Sequence, residues 1–168
     1  MVDLEAVLEA QRTAAAAFKA AALTVSESTW NVPCAPGKWS LAQVVDHVGL
    51  CTKVAHDALN EKANMGGLPF FLRPLLNCFF LQPVLKKGFP KESKGPAIFA
   101  PARDPMSRGQ LCARIDAKVA ALEVGARAMV SGGKTRFRHG FFGRVDVADY
   151  LMFNALHFDH HREQLPGA

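Results

Sequence analysis

Apolar residues recur every third or fourth position along four stretches of the chain, the spacing that lines one face of an α-helix. The first stretch runs from about Leu4 to Leu23. Leu4, Val7, Leu8, Ala14, Ala15 and Phe18 share its face, and alanine, the best helix former, fills much of the remainder. Pro33, Pro36 and Gly37 then stop any helix. The second stretch opens at Ser40, an N-cap residue with Gln43 three positions on, as a capping box requires; Trp39 and Val44 occupy hydrophobic-staple positions. Leu41, Val44, Val45 and Val48 form its stripe. The third begins near Ser107, again with a glutamine (Gln110) three residues later. It carries Leu111, Ile115, Val119, Leu122 and Met129 inward until Ser131-Gly132-Gly133. The fourth follows Asp146, with Val147, Leu151, Phe158 and Leu165 on one side and Pro166-Gly167 as its stop.

Four amphipathic helices without alternating strand patterns predict an all-α four-helix bundle. Arg136–Gly143 reads as an extended loop or a short strand between helices three and four. The connection from about Asn64 to Asp104, between helices two and three, is too long for an ordinary loop. Its apolar part, Phe70-Phe71 to Phe79-Phe80, predicts a short helix packed on the bundle; a lid, a dimer contact and a membrane-surface contact are the alternatives. The wider stretch Leu68 to Leu85 is interrupted by Pro69, Arg73, Pro74, Asn77, Gln82 and Pro83, so no membrane span is expected.

Composition narrows the class. At 168 residues the chain reads as one domain, 1–168, and 49% hydrophobic with 21% charged residues exclude a disordered chain. The net charge of +5 is uneven: residues 73–144 hold 14 Lys/Arg against 4 Asp/Glu, a local +10, and the rest carries −5. That middle reads as a solvated basic surface or an attraction for small anionic substrates. Without a reader motif or basic–aromatic interleaving on one predicted helix, nucleic acid is not the expected partner. The start, MVDLEAVLEAQ, has acidic residues and no apolar run, so no secretory signal is expected. Cys34, Cys51, Cys78 and Cys112 are scattered without a C-x-x-C pair, which fits free thiols in a reducing cytoplasm.

The candidate chemistry lies in the histidines. His157 and His161 stand i, i+4 on the fourth helix, which puts both imidazoles on one face. Tyr150 and Asn154 fall on the same polar stripe, within about 60° of the pair, beside the apolar stripe. His47 borders the apolar stripe of the second helix in the same way. If the two stripes face one another, three imidazoles converge, a set suited to zinc, nickel, iron or manganese with positions left open. His157-Phe158-Asp159-His160-His161 lacks the glutamate of a zincin. Spacing alone leaves two readings: a metal site, or histidines at the surface and core edge.

Gly37-Lys38-Trp39-Ser40 leading into Asp46-His47-Val48, with the terminal Leu156-His157-Phe158-Asp159-His160-His161-Arg162-Glu163-Gln164-Leu165, resembles the DinB-like superfamily. Arg138-His139-Gly140-Phe141-Phe142-Gly143 before an Asp-led helix resembles a branch of that superfamily of unknown function, in which a similar His-x-x-x-Gly turn precedes the last helix. The resemblance covers nearly the whole chain. It implies a four-helix bundle, often a homodimer, with a divalent metal held by three histidines that match His47, His157 and His161. Characterised relatives include low-molecular-weight thiol transferases and mycothiol-dependent isomerases.

Two functions follow as expectations. One is a metal-dependent enzyme of thiol-transfer or hydrolytic type, acting on a small molecule with a low-molecular-weight thiol as co-substrate. The other is a non-catalytic ligand-binding or stress-response module with the same pocket. Tyr150 and Asn154 are candidates for positioning substrate, or else helix-packing polar residues. His139 is a candidate for the outer shell of the metal or for a substrate contact, and His160 for holding a carboxylate in that outer shell. His56, nine residues past His47, is expected to face solvent, and Cys51, one turn after His47, to be a packing cysteine. Asp46 and Asp159 are expected to be caps or solvated carboxylates.

Overall fold

In a computed structural model of the chain, residues 3–33, 35–59, 69–91, 99–103 and 106–165 are described. Four long helices form the bundle: α1 (Leu4–Thr24), α3 (Leu41–Leu59), α6 (Arg108–Ser131) and α7 (Val147–Arg162). The expected caps are in place. Gln43 N donates to Ser40 Oγ and Ser40 N to Gln43 Oε1. Ser107 and Gln110 make the second reciprocal box, and the Asp146 carboxylate accepts from Ala148 N. Each satisfies backbone donors that the first turn of a helix leaves without partners. Gly133, at φ 76°, closes α6 in the left-handed region that glycine adopts without strain. The Pro166-Gly167 stop expected for α7 lies outside the described residues.

Contacts between helix ends fix the directions. Phe18, late in α1, packs on Phe158, late in α7, so these two run parallel. Arg114, early in α6, reaches Asp46, early in α3, so that pair is parallel too. Arg127, late in α6, pairs with Glu5 at the start of α1, so the two pairs oppose each other. A parallel α3–α6 pair explains the long connection: the chain must travel back about 28 Å, the length of the 19-residue α3, before α6 begins. Part of that return is helical: α4 (Arg73–Leu76), a π-helical turn (Asn77–Leu81) and α5 (Gln82–Lys87) follow without a break. The wide turn has a cause in Pro83. Its ring cannot donate to the Phe79 carbonyl and would crowd it, and here Gln82 N donates to Asn77 O instead, one residue further back than in an α-helix.

The core forms two clusters. One gathers Phe18, Trp30, Leu41, Val45, Leu111, Ile115 and Phe158; the other gathers Val7, Leu8, Leu81, Leu122, Phe137 and Leu151. Trp30 comes from a short helix, α2 (Glu27–Trp30), that periodicity did not predict because it is a single turn. The segment at 136–143 is more than a loop. β1 (Arg136–His139) and β2 (Gly143–Asp146) pair antiparallel, with Phe137 opposite Val145 and Arg138 opposite Arg144. Phe137, His139 and Val145 point inward. Four residues are too short a run for alternation to register, and a buried histidine counts as polar in the pattern.

The apolar 70–87 segment departs from the expected core packing on one side. Leu81 and Val84 are buried and Leu76, Phe80 and Leu85 pack on the core, but Phe70, Phe71, Leu75 and Phe79 are exposed. Among the described residues, no helix is long and apolar enough to cross a membrane.

Candidate metal centre

His47 stands in the second turn of α3, and His157 and His161 stand in the last turns of α7. Because α3 and α7 run in opposite directions, these turns meet at one end of the bundle. Their rings are 5.3 Å (His47–His157), 4.9 Å (His47–His161) and 4.5 Å (His157–His161) apart. One nitrogen from each lies within 4.8 Å of the others. The two on α7 meet Nε2 to Nε2 at 3.1 Å.

Hydrogen bonds to the outer nitrogens set the tautomers. His47 Nδ1 donates to the Phe99 carbonyl oxygen at 2.6 Å, and His161 Nδ1 donates to Gln164 Oε1 at 3.0 Å. With the proton held on Nδ1, each Nε2 keeps its lone pair for the interior of the cluster. Burial holds all three imidazoles neutral. It lowers the pKa of His47, takes that of His161 down to about 3, and moves that of His157 well below the usual histidine range; for His157 and His161 neighbouring imidazoles add to the effect. Neutral imidazoles with free lone pairs are the form that binds a metal ion. Nitrogens about 2.1 Å from one ion stand roughly 3–4 Å apart, so the His157–His161 pair already fits and the third lies within reach of a small side-chain rotation.

The surrounding residues hold this arrangement. Pro33 and Ser40 form a β-bridge that closes the loop before α3, and Trp39 from that loop lays its ring 4.9 Å from that of His47. Thus Trp39, expected as half of a staple, also packs against a cluster histidine. Phe89 lies 5.3 Å from His157 and stacks on His160 at 5.2 Å. Asp46 departs from its expected role as a cap or solvated carboxylate. It is buried, accepts from Ala102 N at 2.8 Å and forms an ion pair with Arg114. This tie anchors residues 99–102, whose Phe99 carbonyl accepts from His47. Gly49, one turn after Asp46, leaves room for Arg114: a Cβ there would sit 3.2 Å from its guanidinium. Neither partner of Asp46 carried a local sequence signal, since both are more than 50 residues away.

The remaining candidates are spread along the interior. Cys51 Sγ lies 3.7 Å from His47 Nε2, and burial pushes its thiol up to about 12. Tyr150 and His139 bond each other rather than the cluster. His139 Nδ1 accepts from Phe141 N and Phe142 N, so Nε2 carries the proton and donates to the Tyr150 hydroxyl at 2.9 Å. Both are buried at the hairpin end of the bundle, where burial lowers His139 to about 4 and raises Tyr150. Asn154, one turn before His157, is buried, and among the described residues its Nδ2 has no hydrogen-bond partner. His160 meets the Gln164 side-chain amide at 3.4 Å and packs beside His161. His56 departs from its expected place in solvent: it is half-buried, with Nδ1 3.2 Å from the Asp57 carboxylate. Asp159 is half-exposed beside Arg162. Cys51, Cys78 and Cys112 are free thiols, and Cys34 lies outside the described residues.

No curated protein and no solved structure matches the chain. A family model described as the DinB superfamily does match, over residues 9–165, a span that takes in most of α1, the other three long helices and all three clustered histidines. By that match, and with the helical architecture it accompanies, this chain belongs to the DinB superfamily.

Proposed function

We propose that the protein binds one divalent metal ion through His47, His157 and His161, with zinc, nickel, iron and manganese as the candidates, and uses it on a small-molecule substrate. The observation that carries this reading is the pair of Nδ1 bonds, His47 to Phe99 O and His161 to Gln164 Oε1. Together they leave Nε2 of both rings unprotonated, in a cluster where one nitrogen from each of three imidazoles lies within 4.8 Å of the others. A bound ion with open positions supplies Lewis acidity, lowering the pKa of a coordinated water or thiol.

The chain's own residues supply orientation and shelter. Phe99 O and Gln164 fix two rings, while Trp39 packs on His47 and Phe89 on His157. The reaction classes proposed are thiol transfer, with a low-molecular-weight thiol as co-substrate, and hydrolysis. Asp46 is committed to Arg114 and Ala102, so a proton acceptor has to come from elsewhere. That commitment favours the second reading, a non-catalytic ligand-binding or stress-response module, to the same extent as it constrains the first. A cytoplasmic homodimer is part of the proposal.

Metal analysis of the purified protein beside a His157→Ala, His161→Ala variant tests the site. Near-stoichiometric metal in the parent and little in the variant is the expected result; equal content in both would overturn it. Turnover of electrophiles with a panel of thiols then separates the two readings, since metal retention without turnover selects the binding module.

A further inference from the structure

Among the described residues, the core packs against one side of the 70–87 segment. On the other, Phe71, Leu75 and Phe79 follow one another at i, i+4 spacing, 63%, 52% and 76% exposed, with Phe70 beside them at 79%. A helical face this apolar normally packs against something, and large contiguous apolar patches are rare on free protein surfaces. Along the described residues of this segment the charges are of one sign. Residues 69–91 carry Arg73, Lys86, Lys87 and Lys91 and no Asp or Glu.

The β1–β2 hairpin lies against the same segment: Asn77 Nδ2 donates to Phe142 O at 3.1 Å, and Phe80 stacks on Phe142. The outward residues of the hairpin include Arg138 and Arg144, with Lys134 just before them, while Arg136 is paired with Asp146, its partner across the strands, at 4.0 Å. Arg138 and Arg144 stand directly opposite each other across the strands, a like-charge pairing that costs stability. Folding gives no reason for exposed phenyl groups or for facing arginines.

We propose that this face, the outer side of the 70–87 segment with the adjoining hairpin, docks on an anionic lipid surface. The phenyl groups would enter the headgroup and acyl boundary while the lysines and arginines meet lipid phosphates and carboxylates, the combination that holds peripheral proteins at an interface. A second copy of the chain fits poorly, because a two-fold contact through this face would set its lysines and arginines against the same cations of the other copy. The site does not depend on metal: it rests on exposure and charge alone.

The test is co-sedimentation of the full-length protein with vesicles of phosphatidylcholine containing about one-third phosphatidylserine, and with phosphatidylcholine alone. Binding to the anionic vesicles, weakened by salt and weak on the neutral ones, is expected. Phe79→Ser and the pair Arg138→Gln, Arg144→Gln should each lower partition at least about tenfold while circular dichroism stays unchanged. Absence of partition, or partition that neither variant alters, overturns the proposal. So does a concentration-dependent dimer, or binding of a single-stranded oligonucleotide, that is lost in Phe79→Ser without lipid; either would assign the face to another partner.

Discussion

The Nδ1 of His47 donates to the main-chain oxygen of Phe99, 52 residues away, at 2.6 Å. A backbone carbonyl cannot be exchanged by substitution, so the orientation of His47 depends on whatever holds residues 99–102 in place. That holder is Asp46, through its bond to Ala102 N and its ion pair with Arg114. Asp46→Asn is expected to keep the fold, lose about 2 kcal/mol of stability and weaken metal binding about 10–100-fold. Competition titration with a chelator measures the affinity. Unchanged affinity alongside lowered stability would limit Asp46 to a structural role.

Gln164 holds the second ring from one turn beyond it. Gln164→Ala frees His161 Nδ1, so either nitrogen can carry the proton, and metal affinity should fall about tenfold or more. Gln164→Glu keeps the acceptor and adds charge, and should bind metal at least as tightly as the parent. A carboxamide that served only to pack would give equal losses in both variants.

The bundle and much of the cluster were legible because both rest on local rules. The capping boxes at Ser40 and Ser107 and the helical stripes needed only neighbours within four residues, and His157 and His161 share a face by periodicity alone. What escaped depended on distant partners or on short runs. Asp46 looks like any helix carboxylate until Arg114 and Ala102 arrive from elsewhere in the chain. His139, buried at a strand end, breaks the apolar alternation that would have marked β1. The exposure of Phe79 was likewise unreadable, since a phenylalanine that packs inward, such as Phe80, has the same signature in sequence.

His139 predicts a pH dependence of stability. Its pKa is lowered from 6.5 to about 4 in the fold, chiefly by burial and then by Arg73, so the unfolded chain takes up a proton in a range where the folded chain does not. The stabilisation is therefore complete above about pH 6.5, declines as pH falls and is gone below about pH 4, an effect on the order of 3 kcal/mol. Denaturant unfolding across that window, for parent and His139→Gln, should show a shallower slope in the variant by about one proton. Parallel slopes would mean that His139 titrates normally.

Tyr150→Phe removes the acceptor of His139 Nε2–H without changing the ring that packs on Phe137. A buried donor left without a partner costs about 1–3 kcal/mol, so the midpoint of unfolding should drop by that amount. Metal content should stay at the parental level, because Tyr150 bonds the hairpin and not the cluster. A loss of metal at intact stability would instead move Tyr150 into the metal site.

The Arg138–Arg144 pair sets stability against binding. Two guanidinium groups directly opposite on an exposed hairpin repel, and Arg144→Glu converts the pair into an attractive one worth roughly 0.2–1 kcal/mol relative to a neutral pair. The variant should therefore unfold at a higher denaturant concentration than the parent. If the arginines serve an anionic surface, the same substitution removes one cation, introduces one anion and should reduce partition into phosphatidylserine vesicles severalfold or more. A protein made more stable yet less able to bind would show that the repulsion is retained for contact with lipid. A gain in stability with unaltered partition would leave the facing arginines without a role in docking.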